Sequence, residues 1–330
     1  MNDLNWKLRD LNGPFSAADL VLKDGHVYHL DVAPGAVAED IIIVGDPGRA
    51  RMIRDQYLQA GTIEIDHEHR GLRTVTGVAK STGQRITVTT SGMGTPSIEI
   101  VLNELDALNT IDFSTRKRLS TRRELHIIRV GTSGALQESS ELGSCAITAY
   151  AAGFDNTALF YDAPYADAAA KGLEERLRSA LWEEISRQGR NPRFARAIHP
   201  YIAKGDANAV AALEQTCREH KIKFEAGITV SHAGFFNNQG RDLSPIPNTV
   251  DDFELFLAHF DPKLHGLRML INEMETSFLC HFAGALGYRA TSICTMVAHR
   301  RLNTYVPDME RATHGPIGPA IQALQLLRKG

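Results

Sequence analysis

Arg129 interrupts an apolar run, Leu125-His126-Ile127-Ile128-Arg129-Val130-Gly131, that ends in the turn Thr132-Ser133-Gly134. A guanidinium buried without a partner is expensive, so this one calls for an anion. If the run is a strand of an open parallel sheet, its carboxyl end faces the crevice where such sheets bind ligands, and a forked donor there suits an oxyanion. An internal ion pair with a carboxylate would satisfy the same residue, and for Arg129 taken alone it is the commoner outcome.

Two more junctions carry similar chemistry. Ile41-Ile42-Ile43-Val44-Gly45-Asp46-Pro47-Gly48-Arg49 reads as a strand running into a glycine, a capping aspartate, a first-turn proline and an arginine. The N–H groups of such a helix start, close to a guanidinium, form a phosphate receptor. Val88-Thr89-Thr90-Ser91-Gly92-Met93-Gly94-Thr95-Pro96-Ser97 is again a β-rich run into a glycine turn, followed by a helix-like segment from Ile98 to Leu108. Its glycines permit close approach of backbone to a ligand. Each junction by itself is an ordinary connection; three of them, two with arginines, point to an anion-binding crevice along one sheet edge.

The elements that must position these residues alternate between strand and helix patterns, which predicts a mixed or parallel sheet with helices on both faces. Strands are expected at 41–45, 72–79, 85–91, 125–131, 143–150, 198–203, 226–231, 267–272 and 289–297. Helices are expected at 48–58, 96–108, 167–188, 206–218, 274–286 and 316–328. The charged stretch Ser114 to Glu124 reads as a solvated loop or helix end, and Gly189 to Arg196 as a surface connection. No internal repeat or low-complexity linker divides the 330 residues, so a single domain is expected, with 1–25 as an N-terminal extension.

A formal net charge of -3 argues against broad affinity for nucleic acid, so any anion must be met locally. Cys145, Cys217, Cys280 and Cys294 are widely spaced and form no CxxC pair. Neither a zinc cluster nor a disulfide framework is expected, and a reducing cytoplasm is the default. The polar start, Met1 to Asp10, has no export pattern, and no run approaches the ~18 apolar residues of a membrane span.

In their order along the chain, Gly45-Asp46-Pro47-Gly48-Arg49, Ser91-Gly92-Met93-Gly94, Arg129 to Ala135 and Glu273-Met274-Glu275 resemble the nucleoside phosphorylases of the uridine phosphorylase and hexameric purine nucleoside phosphorylase type. The resemblance runs from about Tyr28 to Arg300. It implies a three-layer α/β/α sandwich with a central mixed sheet, and reversible cleavage of a nucleoside by inorganic phosphate to a base and ribose 1-phosphate. By the same resemblance Gly45, Arg49, Arg129 and Thr132 hold phosphate. Arg70, in His69-Arg70-Gly71, resembles the third phosphate arginine, contributed by a neighbouring subunit. His29 is similar to the histidine that reaches the ribose 5′-hydroxyl across that interface. Read locally, Arg70 and His29 are solvated surface residues.

Phe235-Phe236-Asn237-Asn238-Gln239-Gly240-Arg241 resembles the uridine phosphorylase base segment, with Phe235 packing on the base or sugar. An amide such as Gln239 offers donor and acceptor to uracil, and a guanidinium such as Arg241 stabilises negative charge on the departing base. Taken locally, the segment is a polar loop and Phe235 a core residue. A purine enzyme of this type is expected to place an aspartate acid after the late strand, where Ala298-His299-Arg300 stands instead. Alanine cannot protonate a purine; for His299 an acid role and a solvated or structural role are both open.

The resemblance assigns Glu275 to the ribose 2′- and 3′-hydroxyls and Met274 to the sugar; Glu273 and Met274 also read as a helix-start charge and a core residue. Glu273 and Glu275, two residues apart, would not share a helix face, so only one is expected to face the ligand.

The expected mechanism needs no metal, cofactor or covalent intermediate. Arg49, Arg70, Arg129 and Thr132 place the co-substrate phosphate beneath C1′, Glu275 holds the ribose, and Gln239 with Arg241 stabilises uracil as it leaves. Arg129, Arg241 and Glu275 are the catalytic set, and the shared sites imply a homo-oligomer, a dimer or a hexamer built from dimers. Gly71 stands where related uridine phosphorylases often carry a glutamate associated with a monovalent cation, which weighs against a potassium site. The stretch from Gly153 to Arg196 is longer than in compact relatives, which bears on oligomer geometry or pocket lids. A purine phosphorylase, a nucleosidase using water, and a noncatalytic nucleoside sensor are the alternatives.

Overall fold

Apolar residues alternate along the chain's first interior strand, so Ile42 and Val44 face one way and Ile41 and Ile43 the other, and helices cover both faces. The computed structural model describes residues 7–9, 13–189, 193 and 196–328. An eleven-stranded sheet organises the chain. Its strands are β1 (Asp40–Val44), β2 (Ile65–His69), β3 (Leu72–Val78), β4 (Arg85–Thr90), β5 (His126–Ala135), β6 (Cys145–Phe154), β7 (Tyr201–Lys204), β8 (Phe224–His232), β9 (Met269–Glu273), β10 (Arg289–His299) and β11 (Thr304–Tyr305). The helices are α1 (Pro47–Tyr57), α2 (Thr95–Thr110), α3 (Ala168–Arg187), α4 (Ala207–Glu219), α5 (Phe253–His259), α6 (Thr276–Leu286), α7 (Met309–His314) and α8 (Ile317–Leu327).

The strand order is β11-β10-β6-β8-β9-β5-β1-β4-β3-β2, with β7 paired to β6 and β10 also paired to β5. That last pairing closes β5, β10, β6, β8 and β9 into a ring, from which β1, β4, β3 and β2 extend as an open wing. The sheet is mixed: β5 is parallel to β1 and β10 but antiparallel to β9. Ile42, Val44, Ile128 and Val130 pack under α1, α4 and α8. Ile41, Ile43 and Ile127 pack under α2 and α6. α3 and α5 bury a third cluster against β6, β8 and β9. Residue parity along β5 therefore puts Arg129 on the α2 and α6 side, beneath the starts of those two helices.

The expected strands and long helices occur in place, with the ends shifted by a few residues. The turn expected at Thr132 to Gly134 is instead strand. β5 runs on to Ala135 because partners flank it on both sides, with Thr132 opposite Thr295 and Gly134 opposite Asn272. β2, β11, α5 and α7 had no counterpart in the sequence pattern. The Ser114 to Glu124 stretch is mostly exposed, with a two-residue strand at Lys117–Arg118. Of the expected surface connection Gly189 to Arg196, positions 190–192, 194 and 195 lie outside the described residues. Within the expected extension, Leu20 packs on Ala107 of α2 and on Ile111 just after it, and Arg116 donates to the carbonyls of Phe15 and Ser16. No helix among the described residues is long and apolar enough to cross a membrane.

Candidate active site

β1 ends at Val44 and Gly45 leads to Asp46, whose carboxylate accepts from Gly48 N at 2.7 Å and caps α1. This cap takes up the first N–H groups of α1: Gly48 N and Arg49 N donate to the Asp46 carboxylate, Ala50 N donates to the Asp46 carbonyl, and Pro47 has none. The helix start therefore does not offer the free N–H receptor expected from the sequence. Arg49, in the first turn, reaches back over the sheet and donates from Nη1 to the carbonyl of Val130 at 3.2 Å. Burial lowers the pKa of Arg49; Asp46 offsets part of this and the positive charge of Arg129 adds to it, so the two guanidinium groups converge.

Arg129 is 4% exposed. Its Nη1 lies 3.2 Å from Glu273 Oε2, its Nη2 bonds Glu275, and its Nε has no protein partner. Burial would depress its pKa, but the Glu275 and Glu273 carboxylates outweigh burial and raise it. The side chain folds back over its own strand, which only a glycine permits at position 131: a Cβ there would fall on Arg129 Nη1 and within 2.8 Å of Cys294 Sγ. Thr132, half-buried, follows on the same strand.

Both glutamates turn toward Arg129, contrary to the expectation that only one would face inward. Neither residue is helical: β9 ends at Glu273, α6 starts at Thr276, and Glu275 is the residue before the helix. Glu273 accepts from Glu275 N at 2.9 Å, from Thr276 N and Oγ1, and from Ser231 Oγ, and so caps α6. Glu275 Oε1 accepts from Gly94 N at 2.6 Å, at the start of α2, where φ is +87°. A side chain is strained at that φ, so glycine lets this N–H aim at the carboxylate. Burial raises the Glu275 pKa, Arg129 pulls it back, and Glu273 adds to the rise. Met274 approaches the same turn, its Cε 3.9 Å from where a Cβ of Gly94 would sit.

The 235–241 segment forms a second wall. Asn237–Gln239 make one tight helical turn, and Gly240, at φ +72°, ends it. Gln239 is 4% exposed, whereas Phe235 and Phe236 are half-exposed rather than core. Arg241 stacks 3.9 Å from the centroid of the Phe235 ring and donates from Nε to the Phe235 carbonyl at 2.9 Å. Sequence reasoning noted Arg300 only as part of a departure. The structure ties it to this wall: Nη1 donates to the Gln239 carbonyl at 2.9 Å, and Nη2 lies 3.2 Å from Glu254 Oε2. The available signal was an arginine directly after an apolar strand. His299 is buried rather than solvated, and neither ring nitrogen has a protein partner. His232, also buried, pairs Nε2 with Asn272 Oδ1 at 3.1 Å, and burial pushes its pKa down to about 4.

His29 and Arg70 lie elsewhere, and together. Arg70 and Gly71, both at positive φ, form the two-residue turn joining β2 to β3. At its second position such a turn favours glycine, which explains Gly71 without reference to a ligand. The Arg70 guanidinium sits 5.7 Å from the Tyr28 ring centroid, Tyr28 meets the His29 ring edge-on, and His69 Nδ1 lies 3.1 Å from the His29 carbonyl. Three strand spacings, roughly 14 Å, separate β3 from β5.

Residues 39–313 match the phosphorylase superfamily. The chain belongs to that superfamily. A uridine phosphorylase from Thermococcus kodakarensis is 27% identical over 283 residues, covering 86% of this chain and 81% of that protein. A DeoD-type purine nucleoside phosphorylase from Alkaliphilus metalliredigens is 40% identical over 114 residues, 34% of this chain and 42% of its own length. A Trypanosoma brucei nucleoside phosphorylase with uridine phosphorylase activity superposes with a TM-score of 0.82 at 28% identity, over 92% of this chain and 98% of that one. This phosphorylase superfamily member is thus a pentosyltransferase, and it resembles uridine phosphorylases.

Proposed function

We propose that the chain is a uridine phosphorylase, converting uridine and phosphate reversibly to uracil and ribose 1-phosphate. The observation that carries this reading is the buried Gln239 beside an Arg241 stacked on Phe235, a donor–acceptor pair and a cation suited to a pyrimidine edge. A uridine phosphorylase relative that matches most of the chain supports it, as does Ala298 where a purine enzyme needs an acid.

In this mechanism phosphate enters between Gly45, Arg49, Arg129 and Thr132, with Arg70 supplied by a second copy. Glu275 leaves Arg129 for the ribose 2′- and 3′-hydroxyls, which frees Nη2 for phosphate and keeps a carboxylate near the oxocarbenium-like sugar. Glu273 stays on Arg129 and on the start of α6, Met274 lines the sugar, and Phe235 covers base or ribose. Gln239 and Arg241 stabilise the departing uracil anion. Catalysis rests on positioning and preorganised charge, with no cofactor. Placing Arg70 and His29 in a neighbour's site requires a homo-oligomer.

Purified protein incubated with uridine or inosine, with and without phosphate, tests the reading by base release. Phosphate-dependent uracil release with little hypoxanthine supports it. Preference for inosine makes the chain a purine enzyme, release without phosphate a nucleosidase, and binding without release a sensor.

A further inference from the structure

The geometry points to Glu104 as the residue that orients His29 so that its outer ring nitrogen accepts a hydrogen bond from the 5′-hydroxyl of a nucleoside held by a second copy of the chain. This rests on His29 standing in a neighbour's site, as under the proposed function, at the ribose 5′-hydroxyl that the family resemblance implies, and adds the group that controls it. Glu104 lies on α2, about two and a half turns from the helix start whose Gly94 N–H holds Glu275. Its side chain is 13% exposed, and both oxygens are engaged by the 29–30 segment. Oε1 accepts from the His29 backbone N–H at 2.8 Å and meets His29 Nδ1 at 2.7 Å; Oε2 accepts from Leu30 N at 2.7 Å. Leu30 is fully buried, so the segment is anchored beneath the carboxylate while the His29 ring remains partly open.

An ionised carboxylate only accepts hydrogen bonds, so the proton of the neutral ring belongs on Nδ1. The lone pair is then on Nε2. In that tautomer the imidazole accepts from an alcohol, and the ring orientation is set by Glu104 as a carboxylate sets a catalytic or metal-binding histidine. The two backbone bonds would by themselves tie the segment to α2; the Nδ1 contact adds control of the ring. Glu104 is thus a positioning residue, and Tyr28, edge-on to the ring at 5.0 Å, limits its rotation.

The test compares uridine with 5′-deoxyuridine. His29→Ala and Glu104→Gln should each lower kcat/KM for uridine about tenfold and change that for 5′-deoxyuridine less than about twofold, and the double variant should match His29→Ala. Glu104→Asp, which keeps a carboxylate, should recover part of the loss. Nitrogen-15 shifts of the His29 ring should report the Nδ1-protonated tautomer in the unsubstituted protein and a weaker preference for it in Glu104→Gln. Equal losses on both substrates in Glu104→Gln, or an Nε2-protonated ring in the parent, overturn the role of Glu104. If His29→Ala fails to discriminate between the substrates while the ring has the expected tautomer, the assignment of His29 to the 5′-hydroxyl is what fails.

Discussion

The centre around Arg129 and the patch around Tyr28 both use arginine and glutamate, in opposite ways. Around Arg129 the charges are buried and each answers another within the chain: two carboxylates on one guanidinium, one of them capping α6 and the other held by the start of α2. At the patch, Arg70 is exposed on a hairpin tip and rests on an aromatic face, and His29 is tethered on one side and open on the other. Buried charge must be paired where it stands, because desolvation is costly. Exposed charge can remain open for a ligand or a second copy. The first region satisfies its charges within one chain, and the second leaves charged groups open at the surface.

The sharpest way to break this contrast is Arg129→Ala. It should lower phosphate-dependent base release by about a thousandfold or more and, by stranding two buried carboxylates, destabilise the fold by about 3–5 kcal/mol in denaturant melts. Arg129→Lys should not restore activity, since a point charge cannot bridge both carboxylates as the fork does. Near-normal turnover in Arg129→Ala would remove the centre from the mechanism. Next in size, Gln239→Ala should reduce kcat/KM for uridine by roughly 10 to 100-fold while leaving the phosphate KM unchanged, measured by steady-state uracil release.

A pH series sharpens the buried side of the comparison. The pKa of His232 falls from 6.5 to about 4 on burial, so between those values the unfolded chain holds a proton that the folded chain lacks. Stability on this account is fully present above about pH 6.5 and falls as the pH drops toward 4, by at most about 1.4 kcal/mol per pH unit. Denaturant melts should show that slope, and His232→Asn should flatten it. Arg70→Ala has the smallest expected effect on the fold. The phosphate KM should rise about tenfold while unfolding free energy stays within about 0.5 kcal/mol, because the side chain is exposed. A large loss of stability would mean that the patch is structural within one chain.

Much of this architecture was legible because apolar periodicity survives in single elements. β1 and the long helices carry their own patterns, whereas β2, Ile65-Asp66-His67-Glu68-His69, is an exposed edge strand with almost no apolar signal. α5 has seven residues, too few for a helical period to stand out, and Asp252 before it, though of a capping type, sits at φ +47° and makes no side-chain cap. The spacing of Glu273 and Glu275 misled because a helical face was assumed for residues that precede the helix.

The order of motifs was enough to identify the family, the α/β class and the candidate residues, since propensity, capping and turn chemistry are local and written in neighbouring residues. Tertiary structure alone decided the extension of β5 through Gly134, the turning of both glutamates onto Arg129, the recruitment of Arg300 and Glu254 behind Gln239, and the joining of His29 to Glu104, 75 positions away. These depend on strand pairing and on the burial of charge between segments distant in sequence, and both are settled only when the sheet closes.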